Sequence, residues 1–203
     1  MIKKDGILKF EKFLQFPELV HGFSTREFGN MRAMGMPESL KMFALRLRSG
    51  KNLEAKIPPT SFLKGELPIV RMNQVHSSNV VWVAEAARMG LDNTDGVLTS
   101  EKELFLSVIT ADCVPVFLFD KEKQVVGAIH AGWRGVYKEI VKKAVEKMII
   151  RGSDSADIIV GTGPSIRSCC YDIEQEHAEM FRSKFPHWDD ILIVRNGKTF
   201  LDL

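Results

Sequence analysis

Three apolar runs follow one another between residues 104 and 130, and any fold for this chain has to bury them. Leu104 to Thr110 and Val114 to Phe119 are rich in β-branched and aromatic side chains, and Gln124 to His130 continues the pattern. Runs of this length with few polar residues read as strands covered on both faces. They do not read as a membrane helix. The most apolar segment, Leu104 to Phe119, is broken by Asp112 and Pro115, whereas a span needs about 20 consecutive apolar residues. After His130 the apolar period lengthens. Ile140, Val141, Ala144, Val145, Met148 and Ile149 line one face of an expected helix that ends at Gly152.

The remaining segments predict a mixed order. Asp157 to Val160 reads as a strand leading into the turn Gly161-Thr162-Gly163-Pro164, and Glu174 to Phe185 as a helix. Ile191 to Val194 and Thr199 to Leu203, joined by Asn196-Gly197, read as a closing hairpin. Upstream, Pro68 to Met72 and Asn79 to Val83 predict short strands flanking a turn near His76, and Asp95-Gly96 predicts a turn before Val97-Leu98-Thr99. Residues 7–20 are expected to open with a strand. Arg26 to Met36 reads as a loop, because Gly29, Asn30 and Gly35 interrupt any apolar period. Residues 37–48 predict a helix with Leu40, Phe43, Ala44 and Leu47 on one face, and Lys56 to Gly65 a surface connection through Pro58-Pro59. No repeat or linker divides the sequence, so a single domain over 1–203 is expected. Strands in consecutive groups separated by single helices favour an α+β fold over a doubly wound parallel sheet.

Charge and cysteine usage narrow the function classes. The chain carries 28 basic and 26 acidic residues, a net charge of +2, which argues against a dedicated nucleic-acid binder. Lys3 and Lys4 resemble the start of a signal peptide, but no continuous apolar stretch follows. Three cysteines, two of them adjacent (Cys169, Cys170), make a poor disulfide framework. A cytoplasmic protein without membrane or nucleic-acid partners is the expectation, and a special cysteine should then be a ligand or a nucleophile.

Five histidines are present. His177 and His187 lie in charged or loop-like surroundings, and His21 in a short apolar passage that suggests a structural role. His76, Cys113 and His130 differ, because each falls at a strand end beside turn-forming residues, where a rigid scaffold displays catalytic groups. Two imidazoles and one thiolate would form a three-ligand zinc or copper site with one open position. They would equally form a Cys–His nucleophilic pair without metal. Spacing alone does not decide, since the three are far apart in sequence and no His-Glu-x-x-His motif is present. Asp112, beside Cys113, is a candidate to orient a histidine or take a proton, or to make a structural hydrogen bond. Gly132-Trp133-Arg134-Gly135 lies between a strand and a helix, so Arg134 is a candidate anion contact or a surface residue on a tight turn. Gly161 to Ser165 lacks the Walker lysine and the dinucleotide glycine spacing, and is not read as an ATP or NAD site. Cys169-Cys170 reads as buried packing rather than redox chemistry, because bridging adjacent cysteines strains the backbone.

Several of these segments together resemble one family, named early as laccase-domain or multicopper polyphenol oxidase proteins and later as purine nucleoside phosphorylases. The resembling blocks are His21-Gly22-Phe23-Ser24-Thr25-Arg26, Asn73-Gln74-Val75-His76, Asp95-Gly96-Val97-Leu98-Thr99 and Thr110-Ala111-Asp112-Cys113-Val114-Pro115-Val116. The most specific are His130-Ala131-Gly132-Trp133-Arg134-Gly135 and Gly163-Pro164-Ser165-Ile166 running to Cys169-Cys170-Tyr171. The resemblance implies two stacked mixed β-sheets between helical layers, an α/β/β/α sandwich. It implies a metal centre of His76, Cys113 and His130, usually holding zinc (Zn2+), with copper (Cu2+) the alternative. Implied activities are phosphorolysis of adenosine, inosine, guanosine and methylthioadenosine, with deamination of adenosine. Some relatives are linked instead to copper-dependent phenol oxidation or to editing of peptidoglycan precursors. Arg26 and Arg134 are then the expected phosphate anchors, since a guanidinium matches phosphate bidentately. His76, Cys113, His130 and Asp112 are the expected catalytic set. Five histidines and three cysteines are too few for the ligands of several coppers, so a true multicopper oxidase is not expected. Two departures fall where substrate contacts are expected. Residues Glu27 to Met31 lack the family's small-residue pattern, and the aromatic-rich stretch that follows Leu201-Asp202-Leu203 in the family has no counterpart here. A domain without that C-terminal segment is the expectation.

Overall fold

The computed structural model describes residues 1–4, 7–24, 41–47, 69–84 and 90–203. Arg26, the loop expected at 26–36 and the connection at 56–65 lie outside them. The described strands form three sheets. The first contains β1 (Ile2–Lys4), β2 (Ile7–Lys9), β3 (Leu19–Ser24), β4 (Lys41–Leu47), β5 (Ile69–Val70) and β8 (Phe105–Thr110), in the order β1-β2-β3-β4-β8-β5. The second contains β6 (Val80–Trp82), β7 (Gly96–Thr99), β9 (Val114–Asp120), β10 (Val125–Ala131) and β11 (Ile158–Thr162), in the order β11-β9-β10-β7-β6. Both are mixed, since β5–β8 and β6–β7 pair in parallel within otherwise antiparallel sheets. A third, small sheet has the order β12-β14-β13, from β12 (Asp172–Ile173), β13 (Leu192–Arg195) and β14 (Lys198–Leu201).

Every residue of β9 and β10 is buried, and the two-residue period of a strand explains how. Phe117, Phe119, Val126 and Ala128 point into a core shared with Phe23, Leu106 and Val108 of the first sheet. The alternate residues Val116, Leu118, Val125 and Ile129 point the other way, onto a helix. The two sheets therefore stack face to face, which is the α+β architecture expected. A short helix α1 (Glu11–Leu14) places Phe13 in the intersheet core. Behind the second sheet lie α2 (Trp133–Tyr137) and α3 (Ile140–Ile150). Ile140, Ala144 and Met148, spaced by four, are the buried stripe of α3, and Ile149 from the expected face is exposed. Gly152, at φ +94°, ends that helix in a conformation that favours glycine.

The small C-terminal sheet packs with α4 (Gln175–Lys184) around Phe181, Leu192 and Leu201, and against Trp133, Val136 and Tyr137 of α2. Its hairpin turns at Asn196 (φ 50°) and Gly197 (φ 73°), the positive pair that a two-residue hairpin loop requires. No helix among the described residues is long and apolar enough to cross a membrane.

One expected element is different. Residues 41–47 form strand β4 rather than part of a helix, antiparallel to β3 on one side and to β8 on the other. Leu40, Phe43, Ala44 and Leu47 fit a helical period, but Phe43, Leu45 and Leu47 fit a strand period equally well. Pairing on both edges decides between them.

Candidate metal centre

Two loops and the end of one strand, together at one end of the stacked sheets, supply the site. The chain passes from β8 in the first sheet to β9 in the second through residues 111–113, and Cys113 stands at that crossing. The β9–β10 register sets Ala131 opposite Val114 and His130 opposite Pro115, which brings His130 beside Cys113. His76 comes from the segment between β5 and β6, with φ at 57°. The ligand atoms of His76, Cys113 and His130 all lie within 4.8 Å of one another. Cys113 Sγ is 3.7 Å from His76 Nε2, and the two imidazoles meet edge to face with centroids 4.8 Å apart.

Asp95 orients the set. It is fully buried, directly before β7, and its Oδ1 lies 2.8 Å from His130 Nδ1, which leaves Nε2 as the ring atom available to a metal. The carboxylate also accepts from the backbone N–H groups of Val75 (3.2 Å), His76 (3.0 Å) and Ser77 (2.7 Å) and from the Ser77 hydroxyl (2.7 Å). Burial alone would raise its pKa. The hydrogen bonds from His130, Ser77 and Val75 outweigh burial and hold it well below the usual carboxylate range. Burial would likewise lower His130, yet the bonds to Asp95 and Cys113 push it up to about 9. His76 is lowered, by burial first and then by the charge of His130.

Gln74 fixes the same loop from the other sheet. Its side-chain amide donates to Ile109 O (2.7 Å) and accepts from Ile109 N–H (2.9 Å), extending the β5–β8 ladder with a side chain. Gly132 closes the site for lack of a side chain, since a Cβ there would stand 2.8 Å from His76 Cδ2 and 3.0 Å from Cys113 Sγ.

The donor set fits one divalent metal. Tetrahedral zinc with its usual bond lengths places a thiolate sulfur and an imidazole nitrogen about 3.6 Å apart, close to the Cys113–His76 separation of 3.7 Å. Two imidazoles and a thiol leave one position for a water or substrate.

Asp112 is exposed; its backbone carbonyl accepts from Ile166 N–H (2.9 Å), and the carboxylate that orients His130 is Asp95 instead. Arg134 is exposed, lies over the Trp133 ring at 4.4 Å, and is close enough to His76 to lower its pKa. Sequence reading missed Tyr171 as a site residue. Burial first, then electrostatic interaction with Cys113 and Asp112, raise its phenol, with Arg134 opposing. It missed Asp95 and Gln74 as well. The available signal was an acid placed directly before a buried strand, in a block already singled out.

Two imidazoles and a thiol around one point, on the rim of two stacked mixed sheets, define an α+β protein with a candidate mononuclear metal centre. Residues 54–203 match the family described as multi-copper polyphenol oxidoreductase laccase, and the chain belongs to that family. Its curated relatives carry another name. It is 36% identical over 172 residues to "Purine nucleoside phosphorylase" of Aquifex aeolicus, covering 85% of this chain and 76% of that one. It is 29% identical over 175 residues to "Purine nucleoside phosphorylase LACC1" of Homo sapiens, covering 82% of this chain and 39% of that protein. Among solved structures, Bacillus licheniformis hypothetical protein YfiH superposes with a TM-score of 0.75 at 25% identity, covering 98% of this chain and 78% of that one.

Proposed function

We propose that the chain is a zinc-dependent purine nucleoside phosphorylase acting on adenosine, inosine, guanosine and methylthioadenosine, with adenosine deaminase activity. The observation that carries this reading is the His76–Cys113–His130 triangle, held by Asp95, in a family whose curated relatives are named purine nucleoside phosphorylases. Zinc there would supply an activated water, its pKa lowered towards ~7, as deamination requires. The chain's own residues do the rest. Arg134 holds phosphate near the sugar, Arg26 is the second anchor, and Asp112 takes a proton beside Cys113. Asp95 keeps His130 in the tautomer that presents Nε2. Three free thiols accord with a reducing, cytoplasmic setting.

Incubation of zinc-loaded protein with adenosine and phosphate is expected to yield adenine, ribose 1-phosphate and inosine. C113A is expected to abolish turnover, and unchanged turnover in that variant would sink the mechanism. The family description favours a second reading, copper-dependent phenol oxidation. It predicts oxygen consumption with a phenol and stoichiometric copper. Among the described residues one three-ligand cluster is present, which suits one metal rather than several.

A further inference from the structure

The segment between β11 and β12 runs along the rim of the metal centre. Gly163 N–H donates to Pro115 O and Ile166 N–H to Asp112 O, each at 2.9 Å. At its far end stand Cys169 and Cys170. Both are free and exposed, contrary to the buried packing expected of them, and their Sγ atoms are 3.0 Å apart. The backbone beneath them is fixed. Cys170 and Tyr171 N–H groups both donate to Arg167 O, at 2.9 and 3.0 Å. Arg195, laid over the Phe200 ring at 4.2 Å, donates to the carbonyls of Ser168 (2.6 Å) and Cys169 (3.3 Å). Arg167 pairs with Asp202 at 2.6 Å, and the Ser168 hydroxyl donates to the same carboxyl group at 3.0 Å. The carbonyl side of the turn is thus pinned from below, and the two sulfurs face solvent together.

We propose that the Cys169–Cys170 pair is a bidentate binding site for trivalent arsenicals, separate from the metal centre. Two soft sulfur donors select soft, thiophilic centres. Three-coordinate arsenic(III) takes its sulfurs at nearly a right angle, so it wants them close together, as this turn already holds them. Oxidation to a disulfide competes poorly, because a bridge between adjacent cysteines strains the peptide that joins them. Cys169 beside it pushes the Cys170 thiol up, which disfavours a lone thiolate there. With phenylarsine oxide, two As–S bonds form as the arsenic–oxygen bond breaks. The two thiol protons leave with the oxide oxygen as water. Arsenic stays trivalent and no sulfur is oxidised.

The test uses the full reduced chain, phenylarsine oxide and an excess of glutathione as competing monothiol, read by intact mass and by titration of free thiols. One phenylarsenic per chain is expected, with two of the three thiols consumed and full reversal by 2,3-dimercaptopropanol. C169S and C170S are each expected to weaken retention at least ~100-fold, since either removes the intramolecular second bond. C113S is expected to keep the adduct. An adduct lost in C113S, one retained undiminished in C169S or C170S, or none at all while all three thiols titrate as free, would each overturn the proposal.

Discussion

Asp95 accepts hydrogen bonds from His130, from three consecutive backbone N–H groups and from the Ser77 hydroxyl while fully buried. Asparagine in its place keeps the size but turns one acceptor oxygen into a donor aimed at other donors. D95N is therefore expected to lose about 3 kcal/mol of stability in urea denaturation, in the range for breaking a buried charged pair. Its zinc affinity should fall ~10–100-fold, the usual consequence of losing the partner that orients a ligand, as measured by competition with a chromophoric chelator. An unchanged affinity would mean that His130 needs no orienting group. Gly132 makes the opposite kind of contribution, by having nothing where a Cβ would meet two candidate ligands, His76 and Cys113, at 2.8 and 3.0 Å. Its φ of −76° suits any residue, so space alone selects glycine. G132A should fold with near-normal helix content by circular dichroism, yet bind zinc at least ~10-fold more weakly. Equal binding in the chelator assay would show that the ligands yield without penalty.

Between β5 and β8, the Gln74 side chain takes the place of one more pair of ladder hydrogen bonds. Q74A is expected to lower stability by about 1–2 kcal/mol and to speed hydrogen exchange at Ile109 N–H; protection equal to wild type at that amide would refute the clamp. Elements of this kind differ in how far the sequence reveals them. Strands β8, β9 and β10 were legible because burial on both faces leaves an unbroken apolar run that few other structures tolerate. Strand β4 was not. Seven residues are too short for periodicity to discriminate, and β8, its deciding partner, lies far downstream. The candidate metal ligands were legible only as three strand ends until their surrounding blocks were matched to a family. Asp95 stayed hidden because its role depends on the β7–β10 register, which sets Gly96 opposite Ile129 and so carries the acid to His130.

Across the whole molecule, the intersheet core includes a cluster of rings that encloses one titratable group. His21 is 5% exposed, accepts from Phe10 N–H at 2.8 Å, and lies against Phe10 and Phe13 with centroids 5.9 and 5.2 Å away. Burial first, and the charge of Lys9 second, lower its pKa from 6.5 to about 4. The folded state therefore binds the proton less readily than the unfolded chain. The contribution to stability is fully present above pH 6.5 and is lost as pH falls from there towards 4, on the order of 3 kcal/mol in all. Urea midpoints measured across this window should drop more steeply for wild type than for H21Q. The difference between the two proteins isolates His21, because the other groups titrate in both. Parallel curves would rule out the neutral buried form.

The donor triangle has a mechanical consequence that follows from where its corners are fastened. Cys113 sits where the chain crosses between the stacked sheets, His130 belongs to a strand of the second, and the His76 loop is tied to the first through Gln74 and to the second through Asp95. A metal at the centre therefore spans the seam of the sandwich, so its ligand field should register any sliding of one sheet over the other. A cobalt ion placed there would act as an optical strain gauge for motions of the whole fold.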